Sequence, residues 1–339
     1  MKLLGISGGR KMGNSEVLLR ESLMAAEDLG MEVEVLRLAE VDVKPCRMCS
    51  VCMAELRGPE ACVIKDDAAF IWNSIMDSDG LIISAPVYCL TPPGYLLQIR
   101  DRGFGPKVDV GYMIGRKALV EQGVEVFVDD RCFKARPGAF ISVGGSVKQH
   151  WVSYGLAIFQ TMTFSFQLEL VDQMQVISTG LIKGQVLLNE EAVVRANTLG
   201  RHVAEAMGKA PSEMKWMGEE IGTCPVCHQN QITINKRNPV ECPICGIKGE
   251  LTIEDGEIKV TFSEEERSKS RLTIAGKMDH WFEYHPVDPE MASALGETSN
   301  LPPSREKELR SQITEGLQKY KVHKRSMRPP ARVVKKTTM

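Results

Sequence analysis

Short apolar runs and amphipathic stretches alternate along the first two thirds of the chain. Lys2 to Ser7 is a short apolar run that predicts a first strand, and Gly8-Gly9 breaks it. Asn14 or Ser15 can cap a helix that runs to about Leu29, with Leu18, Leu19, Leu23 and Ala26 on one face and Gly30 as the stop. Glu32 to Leu38 sets Val33, Val35 and Leu36 among charges and predicts a second strand. Asp66-Asp67 starts a helix carrying Phe70, Ile71, Ile75 and Met76, and Leu81 to Ala85 is the continuous apolar run expected of a strand buried on both faces. Pro86 to Gly94 reads as loop, followed by a helix through Leu96, Leu97 and Ile99. Residues 103–133 fit no simple pattern and read as an insertion with a short helix and a hairpin. Gly138 to Val143 predicts strand 4, His150 to about Gln167 an apolar helix, Val171 to Ser178 strand 5, and Glu190 to Met207 a last helix.

Strands alternating with helices imply a parallel sheet covered on both faces. Five strands in this order suit the α/β, flavodoxin-like doubly wound fold, whose ligand lies at the carboxyl ends of the strands. Ala210-Pro211-Ser212 reads as a linker that closes a first domain at residues 1–210. Residues 218–262 read as a small metal-bound β-ribbon module, with Leu251 to Phe262 as a hairpin turning at Asp255-Gly256. Residues 263–339 form an extension with a helix candidate at Ser304 to Tyr320 and a basic, Pro-containing end expected to be disordered.

At 339 residues and a net charge of -2, the chain has room for about two domains and no overall cationic bias toward nucleic acid. The stretch from Trp151 to Leu170 is interrupted by Gln160, Thr161, Thr163, Ser165 and Gln167, short of the roughly 18 clean apolar residues of a membrane span. Eight of the ten cysteines fall in two C-x-x-C-type groups, which suits metal binding in a reducing cytoplasm better than disulfides.

The first group is Cys46, Cys49, Cys52 and, nine residues on, Cys62. A tight loop can aim four thiols at one centre, and two successive C-x2-C steps are a recurrent way to hold three irons of a [4Fe–4S] cluster. A zinc loop and unmetallated thiols are the alternatives. The loop between strand 1 and helix 1, Ser7-Gly8-Gly9-Arg10-Lys11-Met12-Gly13-Asn14-Ser15, can fold its backbone N–H groups around an anion at a helix N-terminus. Ser7, Arg10, Asn14 and Ser15 supply polar side chains. It carries neither a P-loop nor a dinucleotide fingerprint, so a monophosphate such as that of FMN fits better.

Together with this loop, two further segments resemble the flavodoxin-like FMN reductases. Ser84-Ala85-Pro86-Val87-Tyr88, Gly94 and Arg100-Asp101-Arg102 resemble the stretch bordering the isoalloxazine ring in that family. Ser142-Val143-Gly144-Gly145-Ser146 resembles its third flavin loop. With the cysteine loop after strand 2, the resemblance narrows to the iron–sulfur flavoproteins and covers about residues 1–207. The Cys52 to Cys62 gap is long, Gln98 or Ile99 stands where the family has Lys, and the 103–133 insertion has no counterpart in the minimal family. The resemblance implies FMN bound by Ser7, Arg10, Asn14, Ser15, Pro86, Val87, Tyr88, Gly144, Gly145 and Ser146, a [4Fe–4S] cluster beside it, and a homo-oligomer (dimer or tetramer).

Cys224, Cys227, Cys242 and Cys245 form two knuckles of zinc-ribbon or rubredoxin-like spacing, expected to hold Zn or a mononuclear Fe; His228 is a bystander. Cys89 and Cys132 read as small buried hydrophobes, and His150 as a helix-start residue. Trp281, Phe282, Tyr284 and His285 form an aromatic patch expected to pack on the flavin domain. The leading functional expectation is an oxidoreductase passing electrons from a ferredoxin-like carrier, docked by the basic tail, through the cluster to FMN and on to an unidentified acceptor. A NAD(P)H-dependent FMN or quinone reductase with a structural cysteine loop is the alternative. A redox-sensing nucleic-acid binder ranks last, because the ribbon is acidic (Glu219, Glu220, Glu241, Glu250).

Overall fold

The computed structural model describes residues 1–49, 51–54, 62–103, 109–180, 182–219, 222–284 and 303–321. Strands β1 (Lys2–Ser7), β2 (Glu32–Arg37), β3 (Gly80–Pro86), β4 (Arg136–Val143) and β5 (Leu168–Val176) form one parallel sheet in the order β2-β1-β3-β4-β5. This is the flavodoxin-like doubly wound order.

The side-chain period of two sorts the strands onto two cores. Leu3, Ile82, Ala139 and Ile141 face α1 (Asn14–Glu27) and the last helix of the layer, Glu190–Ala206. Leu4, Ile6, Leu81, Ile83 and Phe140 face the other helices. In chain order those are α3 (Ala68–Asp77), α4 (Gly94–Gly103), α5 (Val110–Glu121) and α6 (Tyr154–Thr163); a four-residue helix α2 (Val51–Ala54) lies in the cysteine loop, and Glu190–Ala206 is α7. Residues 103–133 hold α5 and a short helical turn at Asp130–Phe133, with no hairpin among the described residues. The apolar stretch after β4 is shorter as helix than expected, because Gln149–Trp151 is a separate turn and Leu168 already joins β5.

Strands β6 (Val240–Glu241), β7 (Lys248–Glu254) and β8 (Glu257–Thr261) make the antiparallel ribbon, whose β7–β8 hairpin turns at Asp255 (φ 52°) and Gly256 (φ 86°). Ile232 to Ile234 contributes a single bridge, Thr233 to Glu241. Short helix α8 (Glu264–Ser268) and α9 (Ile274–Tyr284) follow.

Residues 1–281 form one compact unit that includes the ribbon, and residues 282–339 a second, in which α10 (Pro303–Lys321) is described. Ala157 of α6 packs with the ribbon cysteines, Ile244 and Ile247 in one apolar cluster. Gln160 Nε2 donates to Cys227 O (3.1 Å), Gln173 Nε2 to His228 O (2.8 Å) and Gln231 Nε2 to Ser153 O (2.9 Å). Trp281 is buried edge-on against Tyr112 of α5, ring centroids 5.1 Å apart. His285 and the basic end from residue 322 lie outside the described residues. No described helix is long and apolar enough to cross a membrane.

Candidate functional site

At the carboxyl ends of the strands, where the chain order reverses between β1 and β3, lies a cavity of about 250 Å³. The loop between β1 and α1 forms its floor. Gly8 N donates to Ser84 O (2.7 Å) and Gly13 N to Arg10 O (2.7 Å), which folds the loop over β3 and onto the amino end of α1. The packing leaves no room for side chains: a Cβ on Gly9 would stand 2.2 Å from Ser15 Oγ, and one on Gly8 2.6 Å from Ala85 Cβ. Arg10, Gly13, Asn14 and Ser15 line the cavity. Ser7 lies deeper, its hydroxyl donating to the buried carboxylate of Glu16 (3.2 Å). Asn14 spends both ends of its amide on the segment after β5, donating to Ile182 O and accepting from Val186 N, each at 3.2 Å.

The second wall is Pro86, Val87 and Tyr88. Val87 N donates to Val143 O (2.8 Å), and Tyr88 and Thr91 exchange both backbone hydrogen bonds (2.8 and 3.1 Å) around Cys89 and Leu90. Both central residues are left-handed, φ 48° and 74°, as a two-residue I′ turn demands. Holding non-glycine residues there costs roughly 1–3 kcal/mol each, a strain typical of functional loops. Tyr88, Cys89 and Leu90 are exposed, so Cys89 is not the small buried hydrophobe expected of it. Cys132 is, and burial pushes its thiol up to about 12. His150 is exposed on the turn before α6.

The third wall joins the loop after β4 to the one after β5. Thr179 N donates to Gly144 O (3.0 Å) and Ser178 N to Ser146 O (2.9 Å). A Cβ on Gly180 would stand 2.5 Å from Gly145 Cα. Gly145 lines the cavity, whereas Gly144 is packed under Val152, and Ser146 Oγ accepts from Lys148 N (3.1 Å). Thr179 and Gly180 also line it and escaped sequence reading; the only cue is a short polar run, Ser178-Thr179-Gly180, after the last strand. Backbone N–H groups at a helix start, an arginine and two glycine contacts without side chains fit a flavin monophosphate.

The structure separates the two cysteine groups chemically. Sγ of Cys224 and Cys245 are 3.5 Å apart, those of Cys227 and Cys242 3.6 Å, and all four buried sulfurs lie within 4.8 Å of one another. Metal–sulfur bonds of about 2.3 Å at tetrahedral angles put sulfurs about 3.8 Å apart, so this is a site for one ion. Contact with Cys224 first, and burial, hold the Cys227 and Cys245 thiols above their ordinary value; a cation among them removes that conflict. His228 takes no part: its ring stacks on Trp216, centroids 3.7 Å apart.

Cys46, Cys49, Cys52 and Cys62 do not form such a single-ion group, which among the described residues is found only at the ribbon. Behind them stands Arg102, donating to Cys62 Sγ (3.5 Å), Lys44 O (2.9 Å) and Asp66 Oδ1 (2.9 Å). The Arg102 of the Arg-Asp-Arg segment therefore serves the cysteine loop, not the flavin edge that the resemblance implied.

Residues 1–164 match the NADPH-dependent FMN reductase family. A flavone synthase from Aspergillus candidus is 33% identical over 291 residues, covering 83% of this chain and 87% of that protein. The chain belongs to the FMN reductase family. An iron–sulfur flavoprotein from Methanosarcina thermophila is 31% identical over 147 residues, 43% of this chain and 64% of its own length. A solved flavone reductase superposes with a TM-score of 0.72 at 25% identity, over 97% of this chain and all of that one. This FMN reductase family member is a flavin-dependent oxidoreductase.

Proposed function

We propose that the protein reduces the conjugated carbon–carbon double bond of a planar aromatic enone of the flavone class. In this reading FMN occupies the 250 Å³ cavity and a [4Fe–4S] cluster the Cys46–Cys62 loop, fed by a ferredoxin-like carrier. The observation that carries the substrate class is the rim. Tyr88 (46% exposed) stands at the cavity wall, while Trp151 (54%) and Tyr154 (51%) flank Val152 and Gly155, which pack against Gly144 and Val87. Exposed aromatic faces beside a flavin site suit a flat, apolar acceptor. The flavone synthase and flavone reductase support it, being alike over most of this chain's length, ribbon included.

A cluster delivers single electrons and a flavin pairs them, which suits a two-electron reduction. The chain's own part is to hold the phosphate with the Arg10 loop, keep the ring edge against the Tyr88 and Gly145 loops, and exclude water by aromatic contact. Zinc in the ribbon acts structurally, since its four sulfurs are buried. A homodimer or tetramer is part of the reading, because Val147, Ile182, Leu187 and Leu188 leave further apolar surface exposed near the cavity loops. The family's NADPH dependence favours a second reading, direct reduction by NAD(P)H with a purely structural cysteine loop.

Anaerobic protein assayed for iron, sulfide, zinc and flavin, then offered a flavone, tests both. Sulfide near iron in amount, one FMN, one zinc and a product two hydrogens heavier with a reduced ferredoxin support the first reading. Sulfide-free protein reducing the flavone with NAD(P)H alone supports the second. No flavone reduction with either donor removes the substrate class.

A further inference from the structure

β5 is an edge strand, and its carboxyl half, Gln173-Met174-Gln175-Val176, alternates amides with apolar residues. Met174 and Val176 enter the core shared with α7, which leaves the two amides on the other face. Against this strand lies a second cavity, of about 930 Å³, walled by the turn before α6, the amino half of α7 and residues 228–231 of the ribbon.

Its amides form chains anchored at backbone carbonyls. Gln149 Nε2 donates to Gln175 Oε1 (2.6 Å), and Gln175 Nε2 to Val152 O (2.9 Å). Gln229 Nε2 donates to Gln173 Oε1 (2.6 Å), and Gln173 Nε2 to His228 O (2.8 Å). Gln231 Nε2 donates to Ser153 O (2.9 Å). A carbonyl at each root fixes which way every amide in the chain points. Gln149, Gln229 and Gln231 end the chains, and their side-chain oxygens accept no hydrogen bond among the described residues; that of Gln231 is enclosed. An enclosed oxygen without a donor is costly, and a ligand hydroxyl relieves it. Each end amide also keeps a second N–H, so it offers a donor beside an acceptor, as a hydroxyl does.

The charges are already taken. Arg195, the one arginine or lysine in the walls, donates to both carboxylate oxygens of Asp172, to Gln173 O (3.2 Å) and to Glu219 Oε1 (3.2 Å). Glu190 and Glu191 stand beside it. The cavity therefore suits a neutral polyhydroxyl group and not a phosphate.

It also adjoins the flavin site. Gln149 and Ser153 line it, whereas Val152 and Gly155 of the same segment pack on Gly144 and Val87, and Trp151 and Tyr154 are the exposed aromatics between. On the strand side Ile177 lines it and Gly180 lines the flavin cavity, three residues and at most about 10 Å apart.

We propose that this cavity binds the sugar of an O-glycosylated flavone whose ring system lies at the aromatic rim, the end amides of Gln149, Gln229 and Gln231 meeting its hydroxyls. The inference deepens the flavone reading above and rests on it. No bond to the sugar forms or breaks; the sugar supplies binding alone.

Calorimetric titration of the oxidised, full-length, FMN-loaded protein tests this, with 7,4′-dihydroxyflavone and its 7- and 4′-O-glucosides as probes. At least one glucoside is expected to bind about tenfold more tightly than the aglycone. Val194, 60% exposed on α7, lines the cavity and none of the flavin walls. Val194→Trp is expected to erase that preference and to leave aglycone affinity and FMN content as in wild type. An aglycone bound at least as tightly as both glucosides overturns this proposal alone, and so does a preference that Val194→Trp leaves unmoved. If the variant does not fold, the wild-type comparison decides. Binding of neither aglycone nor glucoside removes the flavone reading and this proposal with it.

Discussion

Arg102 and Asp66 form an ion pair buried from solvent, with 2% and 0% of their side chains exposed, immediately behind the Cys62 sulfur. Burial alone favours the neutral acid. Hydrogen bonds from Arg102 and from the Lys44 and Ala68 amides outweigh it and hold the Asp66 carboxyl below its ordinary value of 3.8. The folded state therefore binds this proton less readily than the unfolded state. The stability it contributes is complete above the ordinary value and is lost as pH falls through the lower folded one.

Removing the carboxylate leaves a guanidinium buried without a counter-charge. Asp66→Asn is expected to destabilise the folded chain by about 3–5 kcal/mol and to loosen the Cys62 end of the loop. Denaturant unfolding at pH 7 measures the first effect. The same variant should lose the part of the acid-unfolding transition that lies below pH 4; an unchanged acid limb would show that Asp66 is not ionised in the native state.

The sheet and its helices were legible from the hydrophobic period: β1, β3 and β4 are largely apolar runs, and β2 alternates Val33 and Val35 with charges. Three things were not. The extent of α5, expected only as a short helix, was hidden by its own buried polar groups, since Asp109, Arg116 and the facing Lys277 look like surface residues in a sequence and are all under 5% exposed. The docking of the ribbon uses Gln160, Gln173, Gln229 and Gln231, amides that ordinarily mark a solvated face. The flavin-side wall from Thr179 and Gly180 has no motif, only closeness to Gly145 in space.

Those amides tie the ribbon's stability to that of the flavin domain. Removing its metal by a chelator, or substituting Cys242→Ser, is expected to lower the single unfolding transition by about 10 °C, as the loss of a few kcal/mol does in a domain of this size. Calorimetry distinguishes this from an independent ribbon, which would melt separately and leave the main transition in place.

Asp109 caps α5, accepting from Tyr112 N (3.1 Å), and burial raises it from 3.8 to about 6. The sign is opposite to that of Asp66. The folded state prefers the proton, so the stability it contributes is full below pH 3.8 and is lost as pH rises through about 6. The difference is on the order of 3 kcal/mol. Asp109→Asn keeps the cap and is expected to flatten the pH dependence of stability between 4 and 6; a slope equal to wild type would place the proton elsewhere.

Leu90 holds φ 74° in the turn beneath Tyr88, where a side chain is strained and glycine is not. Leu90→Gly is expected to raise stability by about 1 kcal/mol. If the strain serves to fix Tyr88 at the cavity wall, the gain comes with weaker binding of the aromatic acceptor, seen as a higher KM at unchanged FMN content.

Gly180 meets Gly145 backbone to backbone, and this contact sets the width of the flavin cavity on the β5 side. A methyl at position 180 would stand 2.5 Å from Gly145 Cα and 3.1 Å from its nitrogen, with no flexible side chain to give way. Gly180→Ala must therefore push the Gly144–Ser146 loop away, breaking the Thr179 N to Gly144 O and Ser178 N to Ser146 O hydrogen bonds. Losing these two bonds, at about 1 kcal/mol each, predicts FMN affinity lowered at least about tenfold, with a much smaller effect on the sheet. Equilibrium dialysis against FMN checks the affinity, and far-UV circular dichroism checks the sheet. Gly123→Ala, at a left-handed turn with nothing within 4 Å, is the control for backbone strain alone and should leave FMN binding as in wild type.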